Sequence, residues 1–205
     1  MTVEDYQAQT EALAARTAAQ VATINAALQT GDLTVPDAEQ LIATVIDTAN
    51  NLAALLADQY VSVVVETATG TAAPSTGVTP AGDVDRLTKA VSTVLTDDDE
   101  AVPDVGTRLE RLARSEPLDT GQRTVTAVMA DHPQIEGWTR HMDGDPCQLC
   151  RWWWREGRIW PKEHPFQRHK GCNCQPRIVV AETIESTIYT RRLERERSAA
   201  RRTES

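Results

Sequence analysis

The sequence predicts an α+β protein: a mainly α-helical N-terminal part, a small antiparallel β subdomain stapled by cysteine and histidine, and a charged C-terminal helix or arm. Three observations carry that prediction. Residues 2–66 repeat apolar positions at helical spacing and are interrupted once, between Gly31 and Pro36. From Glu136 the pattern changes to alternation, the signature of a strand. All four cysteines, four of the five tryptophans and two of the four histidines lie between Asp145 and Cys174.

The first helix starts at Thr2, whose hydroxyl and the Asp5 carboxylate have the spacing of a capping box. Tyr6, Leu13, Val21, Ile24 and Leu28 fall near one face, and Gly31 marks the stop. Pro36 suits a first helical turn, with Asp37 and Glu39 complementing the helix N-terminus. The second helix runs to about Glu66 with Leu41, Val45, Ala49, Leu52, Leu55, Leu56, Tyr60 and Val63 as its apolar set. A short turn between two long helices makes residues 1–66 an antiparallel hairpin, and alanine-rich faces allow close approach.

Residues 67–82, rich in Thr, Gly, Ala, Pro and Ser, read as a flexible linker. Short helices are expected over 83–135: about 83–95, 104–115 and 119–131, the last ended by His132-Pro133. The run from Asp97 to Glu100 lacks the alternating ligands and central glycine of a calcium loop and reads as a solvated acidic turn. Three short strands, near 136–142, 158–160 and 177–180, make up a β subdomain over 136–181. Residues 182–205 form a basic tail with Arg191, Arg192, Arg195, Arg197, Arg201 and Arg202.

Charge divides the chain. Residues 1–150 carry 8 Lys/Arg against 23 Asp/Glu, whereas residues 151–205 carry 13 against 7. An acidic N-terminal part and a basic C-terminal part suit two kinds of partner, protein and nucleic acid. The longest apolar patches, 52–56 and 61–65, are short and separated by Asp58, against the ~20 residues that a membrane span needs. No membrane partner is expected. The acidic, polar Thr2 to Thr10 does not read as a signal peptide, so the protein is expected to be made in a cytoplasm, where clustered cysteines serve as metal ligands rather than disulfides.

Cys147 and Cys150, two residues apart and preceded by Pro146, can aim both sulfurs at one point. His169, Cys172 and Cys174 supply three further candidates. Five donors exceed four tetrahedral positions, so the expected set is Cys147, Cys150, His169 and one of Cys172 or Cys174. Thiolate and imidazole select Zn²⁺ over Mg²⁺ or Ca²⁺. Glu156 and Glu163 lie between the two halves without an HExxH or HxE context, so the zinc reads as structural, with no catalytic residues. At least two of the rings of Trp152, Trp153 and Trp154 read first as a roof over a thin subdomain. With Arg151, Arg155 and Arg158 beside them, they also suit stacking of nucleic-acid bases.

At these residues the chain resembles the phage Mu F-like minor head proteins. A strand, here Gly137-Trp138-Thr139-Arg140, enters the Cys147–Cys150 turn; Gly157-Arg158-Ile159-Trp160-Pro161 supplies the middle block, and His169 to Cys174 the end. The resemblance covers about residues 136–180, and Ala-rich helices with Asp58-Gln59-Tyr60 are similar in texture to actinobacteriophage members. Lys170 stands where the family usually has Pro, and Asn173 where it usually has Arg. The resemblance implies a non-enzymatic minor capsid protein acting in head morphogenesis and in DNA packaging or ejection. Its implied partners are portal and major capsid or scaffold protein, with packaged DNA at the basic end. Its implied location is the virion interior or portal vertex, after assembly in the host cytoplasm. Three alternatives stand beside it: a zinc-ribbon nucleic-acid-binding protein, a capsid maturation protease and an HNH-like nuclease. For the protease there is no GxSxG, and for the nuclease Asp131-His132 lies upstream of both cysteine pairs.

Overall fold

The computed structural model describes residues 1–78, 82–97, 103–180 and 192. Helix α1 (Val3–Thr30) opens with the expected capping box, Asp5 N–H donating to Thr2 Oγ1 at 3.1 Å and Thr2 N–H donating to Asp5 Oδ2 at 2.8 Å. It closes on Gly31, whose φ of 81° few side chains tolerate. Helix α2 (Val35–Thr69) is capped by Thr34 and runs three residues beyond the expected end. Helix α3 (Val84–Thr96) buries Leu87 and Val91.

Two expectations about the helices are corrected. Residues 104–115 and 119–131 are not separate short helices but one, α4 (Val105–Asp131), with Pro117 inside it. Proline cannot donate to the Ala113 carbonyl, but Leu109, Ala113, Leu118, Val125, Val128 and Met129 hold both halves against the core. In α2 the large leucines do not form the buried face. Leu41, Leu52 and Leu55 are 44–55% exposed, while Ala38, Ile42, Ala43, Ile46, Ala49, Ala53, Ala54, Ala57 and Tyr60 face inward. Small side chains let α2 lie close to α1 and α4, so the alanines win the interior. Close approach is explicit at Gly121 of α4, where an added Cβ would stand 2.9 Å from Tyr6 Oη of α1. By length and composition α2 could also cross a membrane, which the two separate apolar patches did not suggest; 44% of the relevant window is buried in this fold.

The sheet contains β1 (Ile135–His141), β2 (Trp160–Pro161) and β3 (Gln175–Val180), antiparallel in the order β2-β1-β3. Pairing of Trp138 with both Trp160 and Ile178 fixes the register. Between β1 and β2 a short helix α5 (Gln148–Trp154) replaces a simple turn, followed by a 3-10 turn over Arg155–Gly157. The core beneath the sheet joins Trp138, Phe166, Ile135 and Ile178 to Tyr6, Tyr60, Val61 and Met129 of the helices. A second core, with Val21, Ile42, Ile46, Leu87, Val91 and Leu109, fills the opposite end of the bundle.

The segment after α2 folds back onto it. Asp58, 2% exposed, accepts hydrogen bonds from Thr76 N–H (3.0 Å), Thr76 Oγ1 (2.9 Å) and Gly77 N–H (2.8 Å). The basic tail expected over 182–205 lies, Arg192 apart, outside the described residues, as do Asp98, Asp99 and Glu100 of the acidic run.

Candidate metal centre

Cys147 is the N-cap of α5, and one helical turn later Cys150 points to the same side. The second half of the cluster arrives on the loop before β3. There Gly171 turns with a φ of 76°, and Cys172 N–H donates to the His169 carbonyl at 3.2 Å. The His169 Nε2 atom lies 3.0 Å from Cys147 Sγ and 3.2 Å from Cys150 Sγ. Cys150 Sγ lies 3.4 Å from Cys172 Sγ. Donor atoms form two triads, Cys147–Cys150–His169 and Cys150–Cys172–Cys174, each with all atoms within 4.8 Å of one another. Cys150 belongs to both. All five sequence-predicted residues are thus brought together, the four cysteines are free thiols, and the cluster could hold a metal ion.

Its chemistry suits a cation. Cys150, Cys172 and Cys174 are 0–2% exposed. Burial pushes the Cys150 thiol up to about 12, with Cys172 beside it acting in the opposite sense. The Cys174 thiol is also raised, first by its hydrogen bond to Cys172 and then by burial. Buried thiols without a cation stay neutral, and a metal turns the same burial into tight thiolate coordination. His169 is oriented for ligation: Nδ1 sits 3.1 Å from the Lys170 carbonyl, so a proton there leaves Nε2 to face the sulfurs. Cys174 N–H points at Cys172 Sγ (3.4 Å), which ties the two cysteines of the second half to one another.

Two residues that sequence reasoning missed hold the second half in place. Gln122 of α4, 1% exposed, donates through Nε2 to the carbonyls of Cys172 (2.7 Å) and Cys174 (2.8 Å). Asn173 binds α1 on both edges. Its Nδ2 donates to the Gln7 carbonyl at 3.0 Å, its Oδ1 accepts from Thr10 Oγ1 at 2.8 Å, and its carbonyl accepts from Gln7 Nε2 at 2.8 Å. Nothing in apolar periodicity marks a mid-helix Gln as an anchor. Asn173 was visible only as a departure from Arg, and a neutral hydrogen-bonding hub accounts for that departure.

The three tryptophans separate. Trp153 lies between the Arg140 guanidinium (5.4 Å) and the His169 ring (6.1 Å), tying α5 to β1 and to the cluster. Trp152 is 57% and Trp154 37% exposed, so the expectation that at least two rings would roof the subdomain is corrected. Trp138 of the central strand takes that place, 2% exposed and packed edge-on against Phe166 at 5.0 Å. His164 stacks on Trp160 at 4.0 Å, away from the sulfurs; burial, with Arg158 adding to it, lowers its pKa.

A family model described as VG15 protein matches residues 1–197, nearly the whole chain. The chain belongs to the VG15 protein family. That family is viral, so the setting of this VG15 member is a virion or an infected host cell. The match runs across the α1–α2 hairpin, α4 and the Cys/His segment alike, which treats helices and cluster as one inherited unit. Neither the curated proteins nor the solved structures contain a match to the chain.

Proposed function

We propose that the protein is a minor capsid protein of a tailed bacteriophage, of the Mu F-like kind, which acts in head morphogenesis and in DNA packaging or ejection. One observation carries the reading most. Two of the three blocks of the resemblance, around Trp138 and Trp160, pair in one sheet, and the third, His169–Cys174, is the loop that leads into its third strand and carries half of the Cys/His cluster. Membership in a viral family supports it.

On this reading the metal is Zn²⁺ and its role is structural. Three thiolates and one imidazole fill a tetrahedral shell, with Cys147, Cys150, His169 and Cys172 as ligands and Cys174 as the fifth, buried thiol. Zinc would hold α5 and the loop before β3 together in a sheet whose second strand has two residues. The protein performs no catalytic step. The acidic helical part binds portal and major capsid or scaffold protein, and the basic end lies near packaged DNA. The protein resides at the portal vertex or inside the head and is present in few copies.

Mass spectrometry of purified virions and co-sedimentation with portal-containing particles test the reading. A protein abundant in infected cells but absent from both would overturn it.

A further inference from the structure

We infer that the outer face of α5 is a binding surface for an unpaired nucleic-acid strand, with Trp152 and Trp154 stacking bases and Arg151 and Arg155 holding phosphates. Both rings line one open cleft of about 530 Å³, together with Met142, Pro146, Arg151, Arg155 and a single acid, Glu156. Large exposed aromatics are unusual on a chain with nine of them in 205 residues, and these two flank the same space.

Their charge environment selects the ligand. Residues 151–180 contain seven Lys/Arg and only Glu156 and Glu163 as acids, in a chain whose net charge is −9. Arg151 Nε donates to the Pro146 carbonyl at 3.0 Å, which fixes the guanidinium beside the cleft. Neither Arg151 nor Arg155 forms a salt bridge among the described residues, unlike Arg86, Arg108, Arg114, Arg168 and Arg177. Arg155 and Glu156 both adopt left-handed backbone, with φ of 48° and 58°. Non-glycine residues hold that conformation only where the surroundings enforce it, and here it keeps Arg155 at the cleft beside Trp154. Aromatic faces flanked by arginines stack and neutralise a single strand without reading its sequence. A duplex hides the base faces and would use the arginines alone.

The inference rests on the proposed reading only in taking the basic end to lie near nucleic acid; the surface itself is independent of capsid location. The test uses the full-length protein and a fluorescein-labelled 15-nucleotide oligo(dT), with a duplex of equal length for comparison, between 50 and 200 mM salt. Expected are quenching of tryptophan fluorescence, preference for the single strand, and a log–log salt slope of about −1.4 for two phosphate contacts. Trp152→Ala and Trp154→Ala should each weaken binding roughly tenfold or more, with unchanged circular dichroism. Arg155→Gln should flatten the salt slope. Absence of oligo(dT) binding at 50 mM salt overturns the inference. So does binding that both tryptophan variants retain in full and that removal of residues 182–205 abolishes. Loss of particle co-sedimentation in Trp152→Ala without any oligonucleotide binding also overturns it, in favour of a protein partner. A protein found in virions that ignores oligo(dT) would sink this inference alone and leave the head-protein reading standing.

Discussion

Gln122 Nε2 stands 2.7 Å from the carbonyl oxygen of Cys172, so the middle of α4 grips the loop before β3 by its backbone. The same amide reaches the Cys174 carbonyl at 2.8 Å. The cluster is therefore fastened to the helical bundle by something other than its own sulfurs.

Gln122→Leu keeps the volume and removes both donors. Two buried carbonyls then lose their partner, and unfolding by denaturant should show a loss of about 2–3 kcal/mol. A loss below about 0.5 kcal/mol would mean that the loop is held by packing alone.

Zinc content separates the five donors. The wild-type protein should carry one equivalent. Cys150→Ser, which removes the sulfur common to both triads, should carry none. Cys172→Ser should lose the metal as well, while Cys174→Ser should retain it. Zinc retained by Cys172→Ser and lost by Cys174→Ser would reverse the assignment of the fourth ligand. Chelation of the wild-type protein should lower its melting temperature, because the binding free energy of a structural site is folding free energy.

The pH dependence of metal binding follows from the thiols. The Cys150 thiol is pushed up to about 12 by burial, so without a metal Cys150 is a neutral thiol at neutral pH and must lose its proton to ligate one. Acid therefore favours the metal-free form, and affinity should fall steadily as pH drops. Adding zinc at pH 7 to protein in weak buffer should release about three protons per metal, one for each ligating thiol. Binding without proton release would exclude thiolate coordination.

Asp58 gives a prediction far from the sulfurs. Its carboxylate takes three hydrogen bonds from Thr76 and Gly77, and it is the buried acid of the α2 face. Asp58→Ala should cost about 2–3 kcal/mol and open residues 71–78 to limited proteolysis. Wild-type resistance to protease in the variant would show that the segment is held by other contacts.

Much of this was legible from residue spacing. Thr2 with Asp5, Gly31, and Thr34 with Pro36 mark the α1 and α2 boundaries because capping chemistry is local. Cys147, Cys150, His169, Cys172 and Cys174 declared themselves by type and interval. What escaped was decided by tertiary contact. Pro117 reads as a break, yet packing on both sides carries the helix through it. Leu52 and Leu55 outrank Ala53 and Ala57 in hydrophobicity, but only the alanines fit at the distance between helices. Gln122 and Asn173 have no periodic signature, since their side-chain amides donate to backbone carbonyls 50 and 166 positions away.

That last separation has a consequence for synthesis on the ribosome. Gln7 meets Asn173 across 166 residues, and Glu4 meets Arg177 across 173. The first turns of α1 emerge well before their partners, which are among the last described residues to do so. Through most of translation the N-terminal helix must wait with one edge uncovered, and the protein can close only when the second half of the Cys/His cluster has left the exit tunnel. A nonsense mutation anywhere before codon 173 would therefore remove both contacts, Gln7 with Asn173 and Glu4 with Arg177, at once.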